Sequence, residues 1–117
     1  MIKKKRATPE EYLHKAVVKY LNLQLPFGAV FHHSPNEGKH KPQYRKKQIS
    51  MGMQAGWPDL EIFYNEIVLF IELKAGKNTL NDNQKELHPR LKSNGFNVVT
   101  CWSLDEVKAA LIEAKII

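Results

Sequence analysis

Two β-rich runs, DLEIFY at 59–64 and IVLFIELK at 67–74, are separated only by Asn65 and Glu66. A two-residue connection between strands makes an antiparallel hairpin the simplest arrangement, and such a hairpin fixes which residues stand opposite each other. Residues then pair near a sum of about 131, which places Asp59 opposite Glu72. Side chains two apart on a strand share a face, so Glu72 and Lys74 project together while Ile71 and Leu73 project the other way. The spacing therefore predicts two facing carboxylates with an ammonium beside them. Like charges directly opposite are destabilising unless a cation joins them, and a divalent metal with oxygen ligands is the usual one. An ExK triplet alone is also what any strand with one wet face shows. The ordered combination of PD, hairpin, ExK and a following helix favours the metal site.

The remaining chain alternates between helical and strand patterns. Thr8 as N-cap, Pro9 at the first helical position and Glu11 three residues after the cap predict a helix with a capping box. Leu13, Ala16, Val17 and Tyr20 mark its apolar face. GAVFHHSP reads as a short strand ending at Pro35, and the basic, glycine-punctuated stretch after it as a loop leading into a short helix around Tyr44 to Met51. NTLNDNQKELHPRLKSNG predicts a helix with Leu80, Leu87 and Leu91 on one stripe, stopped at Gly95 and kinked or interrupted by Pro89. FNVVTCW is a further strand, and Ser103 with Glu106 opens a last helix through a second capping box. The order α, β, short α, β, β, α, β, α implies a mixed sheet with helices packed on it.

With 117 residues, 43% of them hydrophobic, the chain is expected to form one domain over 1–117, with 1–7 as a flexible basic arm. Eighteen Lys and Arg against twelve Asp and Glu give a net charge of +6 and a pI near 9.5, which suits an anionic partner. Cys101 is the only cysteine, so no intrachain disulfide forms, and a reducing cytosol is expected. MIKKKR leads into ATPEE instead of an apolar signal core, and no apolar run is long enough to span a bilayer, so a soluble protein is expected.

Four stretches then carry a resemblance. SPNEGKH at 34–40, MGMQAGWPDL at 51–60, ELKAGKNTLNDNQ at 72–84 and LKSNGFNVVTCWSLDEV at 91–107 resemble, in order, the motifs of the VRR-NUC (virus-type replication-repair nuclease) family of the PD-(D/E)XK superfamily. The resemblance implies an α/β fold with a restriction-endonuclease-like core, a mixed central β-sheet flanked by helices. It implies a metal-dependent phosphodiesterase acting on DNA, with Asp59 and Glu72 as ligands of Mg²⁺ or Mn²⁺, Lys74 as the catalytic lysine, and 5′-phosphate and 3′-hydroxyl products. Trp57, where the family usually has a smaller aliphatic residue, and Pro89 depart from the pattern. The superfamily also implies a metal-binding glutamate from the first helix. Glu10 lies at the edge of the apolar face whereas Glu11 points away and serves the cap, so Glu10 is the expected ligand. Gln84 falls on the inward stripe of its helix. It is either a boundary residue half in solvent or, as the resemblance implies, a catalytic group that orients Lys74, the water or a phosphate.

The histidines do not have zinc-site spacing, and His32 and His33 should point to opposite faces of a strand. Asn36 and Glu37 are expected in a loop near the site. Lys39, His40, Lys41, Arg45, Lys46 and Lys47 form a basic cluster before the PD strand, and Lys3, Lys4, Lys5 and Arg6 a second one. Such clusters are solvated faces by default, but beside a phosphodiesterase they neutralise phosphates. Neither has a base-reading motif, so DNA shape is the expected signal.

The combined expectation is a structure-selective endonuclease of DNA repair or recombination, a Holliday-junction resolvase acting on four-way junctions as a homodimer. A sequence-specific restriction-type nuclease and a non-catalytic junction-binding protein are the alternatives. Charge reversal at Arg45, Lys46 and Lys47 is expected to weaken binding to all DNA alike and to flatten its salt dependence. A salt titration with an unchanged slope would remove this cluster from the interface.

Overall fold

The structure, a computed structural model, describes residues 6–35 and 41–117. The elements are α1 (Pro9–Gln24), β1 (Val30–His33), α2 (Pro42–Ser50), β2 (Leu60–Tyr64), β3 (Ile67–Leu73), α3 (Asp82–Ser93), β4 (Asn97–Cys101) and α4 (Leu104–Glu113), the expected order. Lys3, Lys4, Lys5, Asn36, Glu37, Lys39 and His40 lie outside the described residues.

The hairpin has the expected register: Leu60 faces Ile71 and Tyr64 faces Ile67. Asn65 and Glu66 turn the chain with φ of 48° and 66°. Left-handed backbone at both central positions is what a type I′ turn requires. β1 pairs antiparallel with β2, and β4 runs parallel to β3, giving the order β1-β2-β3-β4. A parallel neighbour cannot be reached by a tight turn. Helix α3 makes that crossover.

Central strand β3 is buried on both faces from Leu69 to Leu73. One face meets Val17 and Leu21 of α1 and Val107 and Leu111 of α4, together with Leu60 and Ile62 of β2. The other face carries Phe70 and Glu72 and lies against α3, whose His88 approaches Glu72. Glu72 and Lys74 are therefore 2% and 8% exposed, and the wet-face reading of ExK does not hold.

Helix ends follow local chemistry. The Glu11 N–H donates to Thr8 Oγ1, and the Glu106 N–H to Ser103 Oγ, each at 3.2 Å. Gly95, with φ of 89°, lets the Phe96 N–H return to the Leu91 carbonyl and end α3.

Three expectations need correction. Ala16 is exposed, because the buried stripe of α1 runs through Leu13, Val17 and Leu21 at intervals of four. Leu80 precedes α3, whose N-cap is Asn81. Pro89 does not interrupt α3, which is one helix through Ser93. Pro89 and Lys85 are both on the exposed face of the helix, where the carbonyl left without a proline N–H partner is tolerated more readily than in a core. Among the described residues no helix is long and apolar enough to cross a membrane.

Glu66 holds a left-handed conformation that costs a side-chain-bearing residue about 1 kcal/mol and glycine little. Glu66→Gly is expected to raise unfolding stability by up to about 1 kcal/mol, read from the urea midpoint. A lowered midpoint would show that the Glu66 side chain stabilises the turn in another way.

Candidate active site

Asp59 lies one step beyond the last β2–β3 pair, on the side of Glu72. Its position is fixed from both strands. Oδ2 accepts the Leu73 N–H at 2.7 Å, and the backbone carbonyl accepts the Ser34 N–H at 3.0 Å. His33 Nδ1 lies 2.9 Å from the same carbonyl. Lys74 is held by its backbone, whose N–H donates to the Cys101 carbonyl. The three residues predicted from the hairpin thus stand together at one end of the sheet.

Glu72 lies between two cationic or polarised groups. Oε2 is 3.9 Å from Lys74 Nζ and Oε1 is 3.6 Å from His88 Nε2. Removing a carboxylate from water costs several kcal/mol, so such neighbours are needed to keep it charged. His88 also sits 3.0 Å from the Gly56 carbonyl, so Nε2 carries the proton and donates. Burial is the main influence lowering the His88 pKa below its ordinary value, partly offset by the Gly56 bond. Burial thus favours the neutral form of the ring.

On the α1 side, a cavity of about 670 Å³ is lined by Glu10, His14, His33, Asp59 and Leu73 among others. The His14 and His33 rings meet edge to face at 4.4 Å. Burial and then the charge of His33 lower the His14 pKa. Glu10 reaches this cavity with one oxygen fixed by the Asn78 amide at 2.9 Å, while the Asn78 carbonyl accepts the Trp102 indole N–H at 2.8 Å. Glu11 is more exposed and lines the same cavity, so both acids of this turn border it.

Gln84 is fully buried, which removes the half-solvated alternative. Its side-chain oxygen accepts the Asn81 N–H at 3.0 Å while Asn81 Oδ1 accepts the Gln84 N–H at 2.9 Å, a reciprocal capping box. Asn-x-x-Gln at 81–84 was a readable signal for this start of α3. His88 follows one turn later on the same face and was readable from that stripe. Glu61 was also overlooked. It has the strand parity of Asp59, faces Phe70 across the hairpin, and gathers His32 Nδ1 at 2.7 Å, Ser34 Oγ at 2.8 Å and Trp57 Nε1 at 3.3 Å.

Among solved structures similar to this chain, a "VRR_NUC domain protein" matches with a TM-score of 0.75 and 26% identity over 96% of this chain and 93% of its own. The chain has the fold of a VRR-NUC domain. A second structure, "VRR_NUC domain", shares the fold with a TM-score of 0.61 and 23% identity, over 92% of this chain and 97% of its own. No protein-family model and no curated protein sequence matches the chain.

The donor chemistry at this end of the sheet suits a hard divalent cation. Asp59 and Glu10 line the cavity on the α1 side, and Glu72 offers its carboxylate from the face of β3 covered by α3. Among the described residues no three His, Cys, Asp or Glu side chains converge as a ready-made ligand set. Mg²⁺ is usually held by one or two carboxylates, with water and substrate phosphate completing the shell, so the pair fits it. Of the basic cluster, Lys41 caps α2, Arg45 is half-buried, and Lys46 and Lys47 are exposed on that helix.

Close approach of α3 to the PD loop depends on Gly56. A Cβ there would lie 2.4 Å from the Asn83 carbonyl oxygen, and φ is +87°. Gly56→Ala is expected to destabilise the domain by about 3 kcal/mol or more, measured by denaturant unfolding. A loss below about 1 kcal/mol would mean that α3 can retreat without consequence.

Proposed function

We propose that this chain is a metal-dependent, structure-selective DNA endonuclease of the PD-(D/E)XK type that cuts four-way junctions as a homodimer. The reading rests on one observation above all: the hairpin register sets Asp59 on the side of Glu72 at the sheet end where Lys74 follows. Binding alone needs no buried carboxylate turned toward a polyanion, because phosphate contacts are made by cations.

Asp59, Glu72 and Glu10 are the groups that would hold Mg²⁺ or Mn²⁺. When bound, the metal supplies Lewis-acid polarisation of the scissile phosphate and lowers the pKa of water. Lys74 is a compact cation kept beside Glu72, placed to orient the attacking water and to offset charge developing on the phosphate oxygens. The water oxygen forms a bond to phosphorus as the bond to the 3′ oxygen breaks in line, leaving a 5′-phosphate and a 3′-hydroxyl. Gln84 acts first as the cap that fixes α3. Its proposed catalytic role is to support Lys74 or a phosphate from that fixed position.

Lys41, Arg45, Lys46 and Lys47 of α2 supply phosphate contacts without base-edge geometry, which favours shape over sequence. A two-fold dimer would present two such sites to the symmetric strands of a junction. Leu23 at the end of α1, Phe27 in the connection after it and Val30 at the start of β1, all more than 60% exposed, offer a surface for contact with a second copy.

The test is cleavage of a synthetic four-way junction beside linear duplex and a single flap, with Mg²⁺ or Mn²⁺ and with chelator. Paired symmetric cuts are expected, lost in chelator and reduced at least about 10²-fold in Lys74→Ala and in the isosteric Glu72→Gln. Circular dichroism checks that both variants fold. Junction binding without cuts in either metal would make the chain an architectural protein, whereas cutting of one duplex sequence would make it a restriction-type enzyme.

A further inference from the structure

A second cavity, of about 470 Å³, lies beside the catalytic one and shares Ser34 and Pro35 with it. Its lining combines two aromatic rings, Tyr44 and Trp57, with Met53 and the polar side chains of His32, Gln48 and Gln54. Nothing in the cleavage chemistry uses it.

Trp57 is fixed from behind. Its indole N–H donates to Glu61, which His32 and Ser34 hold from β1 and its flank, and its ring stands edge to face on Phe70 at 5.5 Å and 89°. A large ring held at a set tilt beside a cleft provides a stacking surface with little ordering cost. Tyr44, 48% exposed, contributes a second ring from α2, the helix that carries Lys41, Arg45, Lys46 and Lys47. The cleft therefore asks for a flat aromatic ligand with hydrogen-bonding edges, attached to an anionic backbone.

We infer that this cavity takes an unpaired nucleobase of the bound DNA, stacked on Trp57 and Tyr44 with its edge toward Gln48, Gln54 and His32. The inference rests on the nuclease reading and deepens it. Trp57 is two residues before Asp59, so the held base belongs to a nucleotide next to the phosphate that is cut. A base inside duplex DNA is stacked and paired and cannot enter without being extruded. At a branch point an unpaired base enters at little cost. The pocket thus converts a structural feature, a base without a partner, into a fixed cutting position.

The experiment is fluorescence anisotropy in chelator, so that nothing is cut, with three DNAs of one sequence: one bearing an unpaired base at a branch, one abasic at that position, and one fully paired. The wild-type chain is expected to prefer the unpaired base over the abasic site about tenfold, the usual scale of one base–aromatic stack. Tyr44→Ala, on a helix that buries nothing, and Trp57→Ala should each remove most of that preference while leaving affinity for paired duplex within about twofold. 2-Aminopurine at the unpaired position should be quenched by wild type and not by Trp57→Ala. Equal binding of the unpaired and abasic DNAs, or a preference that survives both substitutions, would overturn the inference. Cleavage of the same branch with Mg²⁺ separates the two ideas. Cutting without base preference rejects the pocket alone, and base preference without cutting keeps the pocket and rejects the nuclease.

Discussion

Pairing of β2 with β3 has a period of two, so a slip of one residue would turn Glu72 out from under α3 and bring Leu73 into its place. The slip is resisted at both ends of the hairpin. At one end Asn65 and Glu66 form a turn that permits a single register; at the other, Asp59 Oδ2 accepts the Leu73 N–H. Between them Leu60 and Ile62 meet Ile71 and Leu69 in the core below. A slipped register would turn Leu69 and Ile71 out of that core, each representing roughly 1.5–3 kcal/mol of burial. Core and site therefore depend on the same pairing.

Burial of Glu72 and Lys74 gives the site its electrostatic character. In water an ion pair at 3.9 Å is weak, and beneath α3 it interacts more strongly because solvent screens it less. Helix α3 provides that cover through Gly56, where the absent side chain allows the backbone of Asn83 to approach, and through His88, which bonds to the same glycine's carbonyl. The PD loop and the crossover helix consequently act as one clamp on the end of β3. A change at Gly56 reaches Glu72 without touching it.

Much of this was legible in the sequence because the signals were local. A two-residue turn specified the hairpin register, and with it the placement of Asp59, Glu72 and Lys74. Thr8, Ser103 and Gly95 marked helix ends by chemistry within four residues of each. Groups whose importance depends on distant partners were harder to see. His14 acquires its surroundings from His33, and Glu61 from residues on β1 and the PD loop. Pro89 misled because its local rule weighs one lost hydrogen bond and ring clash, whereas the packing of Leu87 and His88 on the same helix turn holds α3 together through Ser93. Gln84 looked like a lone polar group on an apolar stripe until Asn81 was seen to bond with it.

Helix α2 buries none of its residues. The basic side chains of α2 are in this respect almost separate from those that hold the fold, since the core is built from α1, α4 and the sheet. Most substitutions at such exposed positions change stability by less than about 0.5 kcal/mol. The sequence of this helix is thus free to drift under selection at almost no risk to folding, while the buried end of β3 is held fixed by the core around it.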